Sequence, residues 1–259
     1  MWFLCRMAHM TRVARPVRPS SEPSPPSPVA RAATRLWALA RFLIRSAPGT
    51  YLWLFILGVN TLALTRMSPR FKHWFLATHS TNLVELSHHP VKVLISSAFW
   101  TETPSFFFWF VIFNLFLVPA EWWLGTARWL AVVVLAHVLA TLISEGTVQL
   151  MINAHMYPHR ERFVIDIGVS YGLSGGVGVL AWWWARPWRW WYLGISAAFY
   201  GVLLGVSTNF TNLGHLCAYL IGVACLPLTR GRRGGDMTPA SLIAPLRKRL
   251  TSTPLRGAG

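Results

Sequence analysis

The chain has 259 residues, of which 54% are hydrophobic and 12% charged. Ordinary soluble domains are roughly 45–50% apolar and about 25% charged, so that class is excluded. The 14% aromatic content, with 15 Trp, excludes a disordered chain, which lacks apolar surface to bury. Lys and Arg number 24 against 8 Asp and Glu, a net charge of +16. These charges are sparse where the chain is apolar and dense at its two ends, the pattern of a membrane protein rather than of a nucleic-acid binder.

Residues 1–50 read as a cytoplasmic tail, with eight Arg, one acid and a Pro/Ser run from Pro19 to Pro28, a composition that buries too little to fold alone. The apolar run MWFLC is too short for a signal peptide, and no small-residue cleavage site follows it. From residue 51 to 228, apolar runs long enough to cross a hydrocarbon core of about 30 Å recur. Six are expected as helical spans: Tyr51–Leu64, Phe106–Ala120, Trp129–Ser144, Phe163–Trp184, Trp191–Val206 and Asn212–Leu228. The connection Thr65–Pro104 mixes Phe71, Trp74 and Phe75 with polar residues, which predicts amphipathic pieces lying in the bilayer interface. Residues 229–259 form a second basic tail.

With both termini cytoplasmic, the inner segments carry 18 Lys and Arg and the outer ones 6, the bias that orients a polytopic protein. Trp122, Trp123, Trp129, Trp182–Trp184, Trp188, Trp190 and Trp191 flank the two expected cytoplasmic turns, where indoles favour the headgroup level. The expected class is all-α, with six transmembrane helices, in the bilayer of a cell membrane and without nucleic-acid partners.

Polar groups inside spans are costly and need a partner or a task. The fourth span holds Asp166, Ser170 and Ser174 among Gly168, Gly172, Gly175 and Gly178, and the sixth holds His215 with Ala218 and Gly222. Small residues at four-residue spacing let two helices approach closely. Such an approach sets a serine near an imidazole that can activate it as a nucleophile. His137, alone in the third span, reads instead as a satisfied interior residue. The cysteines Cys5, Cys217 and Cys225 form no CxxC and no even framework, and no cofactor or metal signature appears.

The order of these elements resembles the rhomboid family of intramembrane serine proteases over about residues 50–228. The resemblance rests on SSAFW (96–100), FNLFLVPAEWWLG (113–125), a Gly-x-Ser in the fourth span and HLCAYLIG (215–222) in the sixth. Asn114, Glu121, Leu124 and Gly125 fit the family's second-span pattern. Ser80–Leu83, His89–Pro90 and Asp166–Tyr171 are similar to a bacterial rhomboid-like branch, and 21 Arg against 3 Lys suit a GC-rich bacterial genome. The resemblance implies a rhomboid-like fold and cleavage of a peptide bond in or near a transmembrane segment of a protein substrate. It also implies His215 as base and Asn114 as an oxyanion donor.

The sequence departs from the family at Phe110, where rhomboids carry a histidine that helps the oxyanion. The nucleophile is open between two serines. Ser174 meets GxSG literally, whereas Ser170 has the family's small residues five and eight positions later at Gly175 and Gly178. Ser170 is preferred, with Ser174 as the alternative. A metalloprotease HExxH is missing around His155 and His159, and Asp166 has no second Asp in a span. The competing function is a catalytically inactive rhomboid-like protein that binds transmembrane helices. A transporter would call for inverted repeats or a charged midplane pathway, and neither is legible.

Overall fold

The computed structural model describes residues 27–101, 105–207, 209–232 and 234–241. Most of the expected N-terminal tail and residues 242–259 of the C-terminal one lie outside the described residues, as does Cys5. The chain divides into two units, residues 1–41 and 42–259. Of the first unit, the described part is helical within α1 (Pro28–Ser46), which continues into the second. Helix therefore reaches into the segment read as a tail.

The second unit carries helix α2 (Pro48–Thr65), three short helices α3 (Pro69–His79), α4 (Leu83–His88) and α5 (Pro90–Ser97), and then five longer elements. These are α6 (Phe106–Leu124), α7 (Thr126–Asn153), α8 (Val169–Leu180), α9 (Trp188–Val206) and α10 (Phe210–Ala224). No β-strand occurs among the described residues. Each of the six expected runs overlaps one helix among α2 and α6–α10. Three of these helices, α2, α6 and α7, are long and apolar enough to cross a membrane by length and composition, and α10 is a shorter apolar helix. The 28 residues of α7 extend about 42 Å at about 1.5 Å per residue, beyond the roughly 30 Å of a hydrocarbon core.

The two faces of α2 show what surrounds the bundle. Leu54, Leu57, Thr61 and Leu64 are buried, while Leu52 (61% exposed), Phe55 (68%) and Leu62 (60%) face outward. An outward face this apolar fits hydrocarbon and not water. Helix α2 begins with Pro48, which needs no amide partner there. Its next amides are received by the buried carboxylate of Glu121, at 2.8 Å from Gly49 N and 2.6 Å from Thr50 N. A negative charge at a helix N-terminus is favoured by the aligned peptide dipoles. Glu121 also accepts from Thr126 Oγ1 at 2.8 Å, so one side chain ties α2 to the α6–α7 turn. That turn passes through Gly125 at φ +80°, which favours glycine.

The expected Thr65–Pro104 pieces are α3, α4 and α5. Pro69 and Pro90 each stand in a helix's first turn, and Ser68 and Asn82 cap α3 and α4 by accepting from Phe71 N and Glu85 N. The fourth run differs from expectation. Its helix covers only Val169–Leu180, with a 3-10 turn at Ala181–Trp183 and no helix over residues 164–167. Asp166 in that extended stretch is held by tertiary partners instead of by helix geometry.

Candidate functional site

Helix α8 is the centre of the bundle, packing most extensively on α10 and α7. Its glycines explain how. A β-carbon at Gly222 would run into the backbone of Gly175, and one at Gly178 into the backbone of Tyr219 and Val223. Gly175 also meets the Cβ of Ala136 on α7. Since Tyr171 lies at Gly214, Gly175 at Ala218 and Gly222, and Gly178 at Tyr219 to Val223, the helices α8 and α10 run parallel with their backbones in contact. Gly168 and Gly172 serve other neighbours. Gly168 accommodates the His137 ring, and Gly172 accommodates Trp53 and Val133.

This register brings Ser170, Ser174 and His215 to one cavity of about 390 Å³, which Asp166, Trp109 and Tyr200 also line. The two serines differ in what they do. The buried Ser174 donates to the Ser170 carbonyl at 2.9 Å, a bond within its own helix. Ser170 is half-buried and its hydroxyl has no hydrogen-bond partner among the described residues. Ser170 also sits in the first turn of α8, where the Val169 and Ser170 amides have no acceptor among the described residues.

The two span histidines differ in the same way. His137 Nε2 lies 2.8 Å from the Leu94 carbonyl and 3.4 Å from Ser97 Oγ, as expected of an interior residue. Among the described residues His215 has no hydrogen-bond partner, and its Nδ1 is buried without one. Its ring is positioned by packing, edge-on to Tyr171 with centroids 5.3 Å apart. No hydrogen bond joins either serine to His215 in this structure.

Tyr171 was not legible as a site residue from its own type. Its hydroxyl donates to Asp166 Oδ2 at 2.9 Å, while the Asp166 carbonyl accepts from Thr81 N at 2.9 Å and from Thr81 Oγ1 at 3.1 Å. Asp166 thus connects the Ser80–Leu83 segment to the ring against His215. The signal was the pair of short motifs around residues 81 and 166, whose contact the sequence does not display. SSAFW is resolved in similar terms: the Ala98 carbonyl accepts from Trp53 Nε1 at 2.8 Å and the Phe99 carbonyl from Asn60 Nδ2 at 2.7 Å.

Asn114 is placed differently from the expectation. It lies in a π-helical turn, Phe113–Leu117. Its Oδ1 accepts from Tyr51 Oη at 2.7 Å, and its Nδ2 donates to the Phe110 carbonyl at 2.7 Å. Both ends of the carboxamide are engaged between α2 and α6, and Asn114 is not among the residues lining the serine and histidine cavity. Phe110 is 42% exposed and also lies outside that lining.

A model of the rhomboid-like protein family matches residues 42–235, most of the chain. The chain belongs to the rhomboid-like family. No curated protein and no solved structure matches it. With its apolar helices, this rhomboid-like chain is an integral membrane protein. The matched segment contains the whole cavity and begins at the boundary of the second unit.

Proposed function

We propose that this rhomboid-like protein is an intramembrane serine protease with six spans and cytoplasmic termini in a bacterial cell membrane. Ser170 is the nucleophile and His215 the base. Ser170 Oγ attacks the carbonyl carbon of a peptide bond in or near a substrate's transmembrane segment as His215 takes the hydroxyl proton. The same imidazolium gives that proton to the leaving amine, and water then releases the acyl group from Ser170 by the reverse proton transfers. The oxyanion lies at the free amides that open α8, where helix dipoles favour negative charge. Tyr171, held by Asp166, positions the imidazole. The cavity volume is within the about 300–1,000 Å³ of ligand pockets.

One observation carries this reading: Ser170 and His215, neither with a hydrogen-bond partner among the described residues, line one cavity over a backbone contact that fixes their helices. The test is labelling of the full chain in liposomes by a fluorophosphonate probe. Wild type and Ser174→Ala are expected to label, and Ser170→Ala and His215→Ala are not, because members of a catalytic unit fail together. Labelling that survives Ser170→Ala, or a wild type that never labels, overturns it. The occupied carboxamide of Asn114 favours a second reading, a non-proteolytic protein that binds transmembrane helices. Under that reading the wild type retains a single-span client without cutting it.

A further inference from the structure

A second cavity, of about 370 Å³, lies at the end of the bundle where α6, the connection before α9 and the chain after α10 converge. Three arginines, the exposed Arg186 and Arg232 and the half-buried Arg189, line it together with Trp123, Trp182 and Thr229. Arg189 is fixed in place. Its Cζ sits 5.1 Å from the Trp182 ring centroid, its Nη2 donates to the Trp182 carbonyl at 3.4 Å, and its Nε is buried without a partner. Arg232 reaches over the α6–α7 turn, its guanidinium occupying the space that a side chain at Gly125 would need. The walls are held by backbone bonds between the two segments: Ala185 N donates to the Met237 carbonyl at 2.9 Å and Gly235 N to the Trp183 carbonyl at 3.1 Å.

Among the described residues no carboxylate pairs with these charges. The one ion pair among the described residues is Arg160 with Glu161. Glu121 is engaged by two amides and a hydroxyl, and Asp236 is exposed and makes no ion pair. Like charges gathered at one cavity repel one another, and an anion joining them relieves that repulsion. Guanidinium forks match the tetrahedral oxygens of phosphate, and basic pockets between membrane helices at a headgroup surface recognise phospholipid headgroups. Indole rings beside the cavity suit that same level of the bilayer.

We infer that the Arg186, Arg189 and Arg232 cavity is a binding site for a phosphate group, set to receive the headgroup phosphate of an anionic phospholipid. The inference is independent of whether Ser170 is a nucleophile.

Native mass spectrometry of the full chain in detergent tests it, with phosphatidylglycerol, phosphatidylcholine or inorganic phosphate added separately. Phosphatidylglycerol adducts are expected to exceed phosphatidylcholine adducts. Arg186→Gln and Arg232→Gln, whose side chains make no hydrogen bond among the described residues, should each lower adduct occupancy about fivefold at limiting lipid. The Arg186→Lys/Arg232→Lys pair keeps the charge and should retain more adduct than the double Gln variant, which separates binding from folding. Arg160→Gln, at a different site, should change nothing. Lipid adducts lost in the Gln variants identify the lipid as the source of the phosphate. Inorganic phosphate retained without lipid, and lost in the same variants, identifies a soluble phosphate compound. Equal adducts for both lipids with no phosphate retained, or adducts indifferent to Arg186→Gln and Arg232→Gln, overturn the inference.

Discussion

Gly222→Ala adds one methyl group, and the structure says where it goes: into the backbone of Gly175 on α8. A flexible side chain could swing aside, but a backbone carbonyl inside a helix cannot, so α8 and α10 must separate. Overpacking of a close-packed interior costs typically about 1–3 kcal/mol, and with backbone on both sides the upper end applies. About 3 kcal/mol is about a hundredfold in the folding equilibrium. The control is Gly201→Ala on α9, where a new methyl group meets nothing within 4 Å, and where alanine favours helix by up to about 1 kcal/mol. Reversible unfolding of the two variants in mixed micelles, followed by circular dichroism, compares them directly. Equal stability of Gly222→Ala and Gly201→Ala would refute the parallel backbone contact and with it the register that brings His215 and Ser170 to one cavity.

Further outcomes follow from other contacts. Glu121→Ala removes the acceptor of two α2 amides and of Thr126 Oγ1; with about 1.5–3 kcal/mol for a bond to a charged group, the same unfolding assay should show a loss of at least about 3 kcal/mol, and Glu121→Gln a smaller one. A reporter fused after Arg249 should be cytoplasmic and one inserted near His155 should lie across the membrane, as alkaline phosphatase and fluorescent-protein fusions would score. Phe110→His should leave probe labelling unchanged, since that side chain is outside the cavity lining; a rise of tenfold or more would put an oxyanion within its reach.

Much of this architecture was legible because it depends on local composition. Apolar runs lie on α2 and α6–α10, and the mixed Thr65–Pro104 connection holds the short helices α3, α4 and α5. The close approach of α8 and α10 was also legible, because only small residues permit it and Gly175, Gly178, Ala218 and Gly222 stand at helical spacing. What spacing could not supply is the partner of each polar group. Gly168 and Gly172 belong to the same ridge in sequence, yet they face His137 and Trp53, because the helix turns its other sides to α7 and α2.

The same reasoning separates the residues assigned to chemistry. Asn114 fits a family pattern, but a pattern records residue type and not which hydrogen bond the side chain keeps. Tyr51, which belongs to none of the quoted motifs, holds the carboxamide between α2 and α6. Ser170 and Ser174 are alike in type and separated by one helical turn, and what distinguishes them is the backbone acceptor that Ser174 takes and Ser170 lacks a counterpart for in this structure. A hydroxyl already donating to its own helix must break that bond before it can donate to an imidazole, at a net cost of about 0.5–1.5 kcal/mol. A hydroxyl in the first turn has no such bond to break, and under the proposed mechanism the amides beside it, without acceptors among the described residues, would stabilise the developing negative charge. The position of the serine along α8, more than the match to GxSG, is therefore what favours Ser170.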